Sequence, residues 1–401
     1  MTIIKPQKIH PTTIASKSAL CVTLGFTLLE LNEVLSVPSS ERYKRKEIDK
    51  PDGSKRVVYN PHPLIRRAQR RINTNIFKKL VSWPYYLYGS IPNTVIKESG
   101  LPKIIIRKDY VTCASKHCGA KSLLKMDIKN FFDNIHENHV RNLFLRFFHF
   151  SPEVAHILTN ICCHESNVVQ GSPTSSYIAS LILWDVEHLA VKKISRKNLV
   201  YTRLVDDISV SSKSSKYDFS MIEDIITQML TSRDLPVNKK KTKHCYLSTE
   251  PLTVHGIRIN YKEPRFPSDE IRRLRSYVHN LQTLAKQPGY RTTHSYRTDY
   301  AICMGKVNKL KRVNHNKHFI FLEQLRAIRP LPSEDDLDRC RYVIARLDAY
   351  NTIHGNESFS YRKRFYRLQE RLNVLQRLSK YKTAAKEMRA RLKSLRPPNE
   401  V

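Results

Sequence analysis

The stretch LVYTRLVDDISVSS, Leu199 to Ser212, contains two short runs rich in β-branched residues that meet at Val205-Asp206-Asp207. Such runs on either side of a polar junction read as a β-hairpin, here with a carboxylate pair at its tip. An Asp-Asp dipeptide is common in turns, so alone it says little. Its meaning depends on the rest of the chain. Upstream, SLLKMD ends at Asp127 and reads as a buried strand terminating in a third carboxylate. In a small antiparallel sheet that strand and the hairpin can lie side by side. Three carboxylates gathered there repel one another unless a cation lies between them, and hard divalent cations take carboxylate oxygens.

Working outward, helical patterns occupy about Asn138 to Phe148 and Pro152 to His164. A polar loop, Val168 to Ser176, leads into an apolar helix, YIASLILWDVEHLAVKKI. After the hairpin come a helix near Phe219 to Ser232 and strands near His244 to Leu247 and Val254 to Asn260. Towards the N-terminus, Pro51-Asp52-Gly53 signals a turn between two strand-like runs, and a basic helix starts near Leu64. From Asp269 the pattern is helical and basic, divided into two groups by Pro330 and Pro332. The acidic cluster SEDDLD, Ser333 to Asp338, reads as the capped start of a helix rather than part of a nuclease domain. The expected fold class is α+β.

The chain has 401 residues, with 70 Lys and Arg against 36 Asp and Glu, a net charge of +34. That excess opposes compaction unless a polyanion neutralises it, and nucleic acid is the obvious candidate. An anionic membrane surface or a ribosomal neighbour would explain charge alone equally well, so charge sets a class of partner and no chemistry. Eight cysteines form no pair of C-x-x-C knuckles. Cys113, His117 and Cys118, and likewise Cys162, Cys163 and His164, are read as core groups rather than metal sites. The apolar stretch Ala19 to Leu35 is interrupted by Glu30, Asn32 and Glu33, so an amphipathic helix is expected and not a membrane span. A cytoplasmic protein with reduced thiols and no membrane partner follows as the expectation.

Five segments in order, MDIKNFFDNI, VVQGSPTSS, RLVDDISVS, VNKKKTK and VHGIRIN, resemble the palm motifs of reverse transcriptases. The bacterial branch, with retron, group II intron and defence-associated enzymes, is most similar. GSKRVVYNP, LIRRAQRRI and RKDYVTCASKHCGAKSLLKMD are similar to retron-type fingers. The likeness runs from about Ser18 to Asn260 and is looser beyond. It implies a right-hand polymerase fold with fingers, palm and an all-helical basic thumb. The implied divisions are 1–121 for the N-terminal helix and fingers, 122–262 for the palm with fingers elements near 136–165, and 263–401 for the thumb and its RNA- or duplex-binding helices.

What the resemblance implies for chemistry is RNA-directed DNA synthesis by two-metal nucleotidyl transfer. Asp127 and Asp206 become the principal ligands of two Mg²⁺ ions, for which Mn²⁺ would substitute, with Asp207 and the backbone of Ile128 in support. Phe132 takes the place of a steric gate against a 2′-hydroxyl. Gln170 and Gly171 open the loop that lines the nascent pair. Lys241, among neighbouring lysines, becomes the proton donor to pyrophosphate. Lys55, Arg56, Arg107 and Lys108 are candidates for triphosphate contacts. His255-Gly256 marks the primer grip. One departure is Leu204, where the family usually carries Tyr. Expected partners are a structured non-coding RNA template, the RNA–DNA duplex product and deoxynucleoside triphosphates, in a role in antiviral defence. Template-independent or protein-primed DNA synthesis on the same palm is the alternative, and a catalytically silent RNA-binding scaffold is the alternative of another class. A protein effector or homo-oligomer stays open, because no residue pattern speaks to either.

Overall fold

The computed structural model describes residues 3–11, 13–49, 53, 55–96, 104–356 and 358–398. Its chain divides into two compact units, Met1–Arg265 and Phe266–Val401.

At the centre of the first unit the SLLKMD run forms the strand Ser122–Asp127. It belongs to a five-stranded sheet in the order Lys243–Tyr246, Ser122–Asp127, Asp207–Ser212, Val200–Leu204, Leu87–Tyr88. The first four are antiparallel neighbours, and the last pair is parallel. Strand side chains alternate between faces. Leu124, Met126, Ile208 and Val210 therefore share one face, where they join a core with Ile178, Ala190, Ile194, Ile222 and Ile226 of the covering helices. Lys125, Asp127, Asp207, Ser209 and Ser211 fall on the other face. The same alternation that buries the apolar set thus puts two of the three carboxylates on the polar side. The expected α+β class is the class observed.

Two expected single helices are broken. Ala19 to Leu35 becomes two helices, Lys17–Leu24 and Leu28–Ser36, bent by 98°. Gly25 ends the first in the left-handed region at φ 64, and Thr27 with Glu30 forms a capping box that starts the second. Among the described residues no single helix is long and apolar enough to cross a membrane. The apolar segment after Ser175 likewise splits into Ser175–Leu181 and Glu187–Ser195.

The basic helix begins at Pro63 and passes at Asn73 into a π-turn. Part of its basic face is engaged with protein: Arg67 pairs with Glu30, and Arg71 donates to the Leu24 and Gly25 carbonyls. Ahead of it, Tyr43–Asp49 and Lys55–Pro61 form a hairpin, and Pro51 and Asp52 of the expected turn lie outside the described residues. A second hairpin, Thr94–Ile96 with Ile104–Ile106, was not anticipated from sequence.

The second unit is helical, with helices Ser268–Ala285, His294–Leu310, Lys317–Ala327, Glu334–His354, Phe359–Leu375 and Ser379–Ser394. The break between its two groups of three falls at the predicted prolines. Ser333 caps the fourth helix in a box with Asp336, as SEDDLD suggested. The last three helices share a core that includes Cys340, Leu347, Phe365, Leu372 and Leu392.

Candidate active site

The hairpin register pairs Leu204 with Asp207, leaving Val205-Asp206 as a two-residue turn. Val205 sits at φ 59, a conformation β-branched residues avoid. The Ile128 N–H donates to the Asp206 carbonyl at 3.2 Å, tying the turn to the neighbouring strand end. Asp207 lies directly opposite Asp127. A strand end and a distant hairpin are therefore paired at Asp127 and Asp207, with the Asp127 charge acting on both hairpin carboxyls and the Asp206 charge acting on Asp207.

Electrostatics bear this out. Burial, with the nearby Asp127 charge, raises the Asp206 carboxyl above its ordinary value. Asp207 is pushed up to about 6, first by burial and then by Asp206 and Asp127. Asp127 is only 6% exposed. It accepts hydrogen bonds from Asn238 Nδ2 at 2.8 Å and Lys241 Nζ at 3.0 Å. That bond to Asp127 raises the Lys241 ammonium pKa and keeps it protonated. Among the described residues no group of three His, Cys, Asp or Glu side chains is arranged to hold a metal ion. The donor set is nonetheless all carboxylate, mutually repelling and partly relieved by one lysine. Such a set fits hard cations of the magnesium type.

Comparisons with known proteins show the family. Residues 48–274 match the family described as reverse transcriptase (RNA-dependent DNA polymerase). The chain is 44% identical to the retron Ec48 reverse transcriptase of Escherichia coli, over 99% of this chain and 96% of that one. The chain belongs to the retron reverse transcriptases. It is also 28% identical to the retron Se72 reverse transcriptase of Salmonella heidelberg, over 85% of this chain and 84% of that one. This reverse transcriptase is thus an RNA-directed DNA polymerase with the right-hand fold.

Around the carboxylates of this reverse transcriptase, the other expected residues divide. Lys241, not Lys239 or Lys240, reaches the site, with its side chain 64% exposed. Ile128 directly follows Asp127 and bridges to Val237. Phe132 opens a short 3₁₀ turn and is half-buried, its ring tilted on Phe131 at 5.9 Å. Arg56 is exposed, and its charge helps to lower the Asp206 carboxyl. Lys55 is also exposed and pairs with Glu47 at 3.0 Å, while Arg107 faces solvent. Lys108 corrects the sequence reading. It is 3% exposed, its ammonium donates to the Pro84 carbonyl at 2.7 Å, and burial lowers its pKa to about 8. A buried ammonium engaged with carbonyls is not placed to meet a triphosphate.

Gln170 and Gly171 of this reverse transcriptase lie against the first hairpin. The Gln170 carbonyl accepts from the Tyr59 N–H at 2.7 Å. Gly171 has φ +105, and a Cβ there would come within 2.6 Å of the Tyr59 carbonyl oxygen. Close approach is thus to the hairpin backbone. Gly171→Ala should destabilise the protein by about 2 kcal/mol, through strained φ and that clash. Chemical denaturation measures the loss, and an unchanged midpoint would contradict it.

Two groups near the site escaped the sequence reading. Asn238 holds Asp127 from within VNKKKTK, a segment whose lysines alone stand out in the sequence. The resemblance gives His255 only as part of the primer grip, yet its Nδ1 lies 3.6 Å from Asp207 Oδ2 and its Nε2 lies 3.6 Å from Cys113 Sγ. Burial lowers its pKa to about 4, so it faces Asp207 as a neutral ring. Cys113 and His117 prove to be core groups, both hydrogen-bonded to Thr202.

Proposed function

We propose that this reverse transcriptase copies a dedicated structured non-coding RNA into DNA in the bacterial cytoplasm, in antiviral defence, with Asp127, Asp206 and Asp207 holding two magnesium ions. The observation that carries the chemical part is the pairing of Asp127 with Asp207 next to Asp206, with the latter two carboxyls raised by burial and mutual charge. Kinship with retron enzymes over nearly the whole chain supports the RNA-templated part.

Bound there, the two ions would activate the primer 3′-hydroxyl and neutralise the triphosphate. The chain's own groups do the rest. Lys241 is held protonated beside Asp127 and is positioned to give a proton to the departing pyrophosphate. Arg56, Arg107 and Lys55 carry exposed positive charge for the triphosphate. The half-buried Phe132 ring would pack under the sugar and exclude a 2′-hydroxyl. We assign the fingers to residues 1–121, the palm to 122–262 and the thumb to 263–401. Within the helical unit, Arg339, Arg346, Arg364, Arg367 and Arg371 line a cleft with Tyr342. Guanidinium and aromatic groups interleaved in this way suit an RNA or an RNA–DNA duplex.

Protein isolated from its native cells should carry one abundant RNA and DNA complementary to part of it. Sequencing the bound nucleic acid checks this. Asp206→Asn should retain the RNA and lose the DNA. Random RNA without complementary DNA would contradict the dedicated-template reading, and DNA retained by Asp206→Asn would contradict the metal assignment.

A further inference from the structure

Arg203 stands three residues before Asp206 and is 0% exposed. A guanidinium has five N–H donors, and here every one has an acceptor. Nε and Nη2 donate to the two Glu187 oxygens at 2.6 and 2.8 Å. Nη2 also reaches the Ser180 carbonyl at 2.9 Å. Nη1 donates to the Ala179 carbonyl at 3.2 Å and the Val205 carbonyl at 3.0 Å. Glu187, 1% exposed, takes a further hydrogen bond from the Tyr201 hydroxyl at 2.8 Å.

Stability alone is a weak reason for such a pair. Burying two charges costs heavily in desolvation, and well-packed apolar residues in their place are often neutral or stabilising. The acceptors suggest what the pair does. Val205 opens the two-residue turn and holds φ 59 against its own preference. A turn of that kind persists only when its surroundings over-determine it. Gly89 lies against it closely enough that a Cβ there would come within 2.9 Å of Val205 Cγ2. Arg203 then pins the Val205 carbonyl. Its other two carbonyl partners belong to the helix Ser175–Leu181, which continues from the Gln170–Gly171 loop. One side chain thus joins the turn that presents Asp206 and Asp207 to the helix behind the Gln170–Gly171 loop.

We infer that Arg203, oriented by Glu187, is a positioning residue that locks the Val205 turn and so fixes Asp206 and Asp207 against Asp127. The inference rests on the proposed metal role of those carboxylates. Small displacements of reacting groups cost about 10²-fold in rate.

The test is the double variant Arg203→Met/Glu187→Leu, which removes both charges and leaves neither unpaired. Melting temperature, kcat, KM for deoxynucleotide and the half-saturating Mg²⁺ concentration are measured on a defined RNA template and primer. The double variant also strips the Tyr201 hydroxyl and three carbonyls of their partners, so it should melt somewhat below the wild type and still fold cooperatively. Its kcat should fall about 10²-fold and its Mg²⁺ requirement should rise, with KM changed less than about threefold. A folded double variant with wild-type kcat and Mg²⁺ requirement would overturn the inference. If it does not fold, Arg203→Lys decides, because it keeps the charge opposite Glu187 but its three N–H donors cannot serve Glu187 and all three carbonyls together. A kcat down about tenfold with a raised Mg²⁺ requirement supports the lock, and wild-type values of both overturn it. Asp206→Asn measured alongside separates the two claims. Full activity in that variant means that the metal assignment has failed, whatever Arg203 does.

Discussion

Asp206→Asn should lower DNA synthesis by at least about 10³-fold, because an amide gives up the charge that makes the oxygen a strong ligand for a divalent cation. The measurement is single-nucleotide extension of a primer on RNA under saturating Mg²⁺. Loss of folding is not the cause to expect. The native state raises the Asp207 pKa to about 6 from an ordinary 3.8. A carboxyl raised in this way favours the fold below its ordinary value and loses that contribution as pH rises through about 6. Above that pH, the metal-free site holds mutually repelling charges, and removing one relieves the others. Metal-free Asp206→Asn should therefore melt at or above the wild-type temperature at neutral pH. A variant that is inactive and also melts well below wild type would point to a structural role instead.

Phe132→Val should raise ribonucleotide incorporation relative to deoxynucleotide by about 10²-fold, with little change in deoxynucleotide kcat. The reason lies in the contrast within the Phe131-Phe132 pair. Phe131 is 3% exposed and part of the core, whereas Phe132 is half-buried and only packs against that core. Only the second ring is partly exposed. Phe131→Val supplies the comparison, and it should cost stability while leaving sugar selectivity alone. Relative kcat/KM for matched ribo- and deoxynucleotides checks both variants. Unchanged selectivity in Phe132→Val would remove the gate from the account.

The carboxylate trio was legible because strand alternation and a polar junction are local patterns, and the hairpin and the SLLKMD strand each have one. The sequence said only that they can lie side by side, and the register that pairs Asp207 with Asp127 comes from the structure. The corner at Gly25 was missed, although a glycine followed by Thr27-x-x-Glu30 is a stop and a start in succession. Read as a continuous apolar stretch, it passed for one helix. Lys108 shows what a sequence withholds. Next to Arg107 it looks like an anion contact, and only tertiary packing turns its ammonium onto the Pro84 carbonyl. Lys241 was named through the resemblance alone, and the run of chain after Val237 alongside Asp127 is what sets it apart from Lys239 and Lys240. Arg203 and Glu187 carried no signal at all, because a charged residue in a strand or helix is ordinarily solvated and their pairing depends on how the helix covers the sheet.

The most direct test of the central claim is a count of bound Mn²⁺ by electron paramagnetic resonance, on protein with an RNA template, a primer lacking its 3′-hydroxyl and the next deoxynucleoside triphosphate. Two ions per active site in the wild type, falling in both Asp127→Asn and Asp206→Asn, is the expected result. An identical Mn²⁺ count in the wild type and the two amide variants would contradict it.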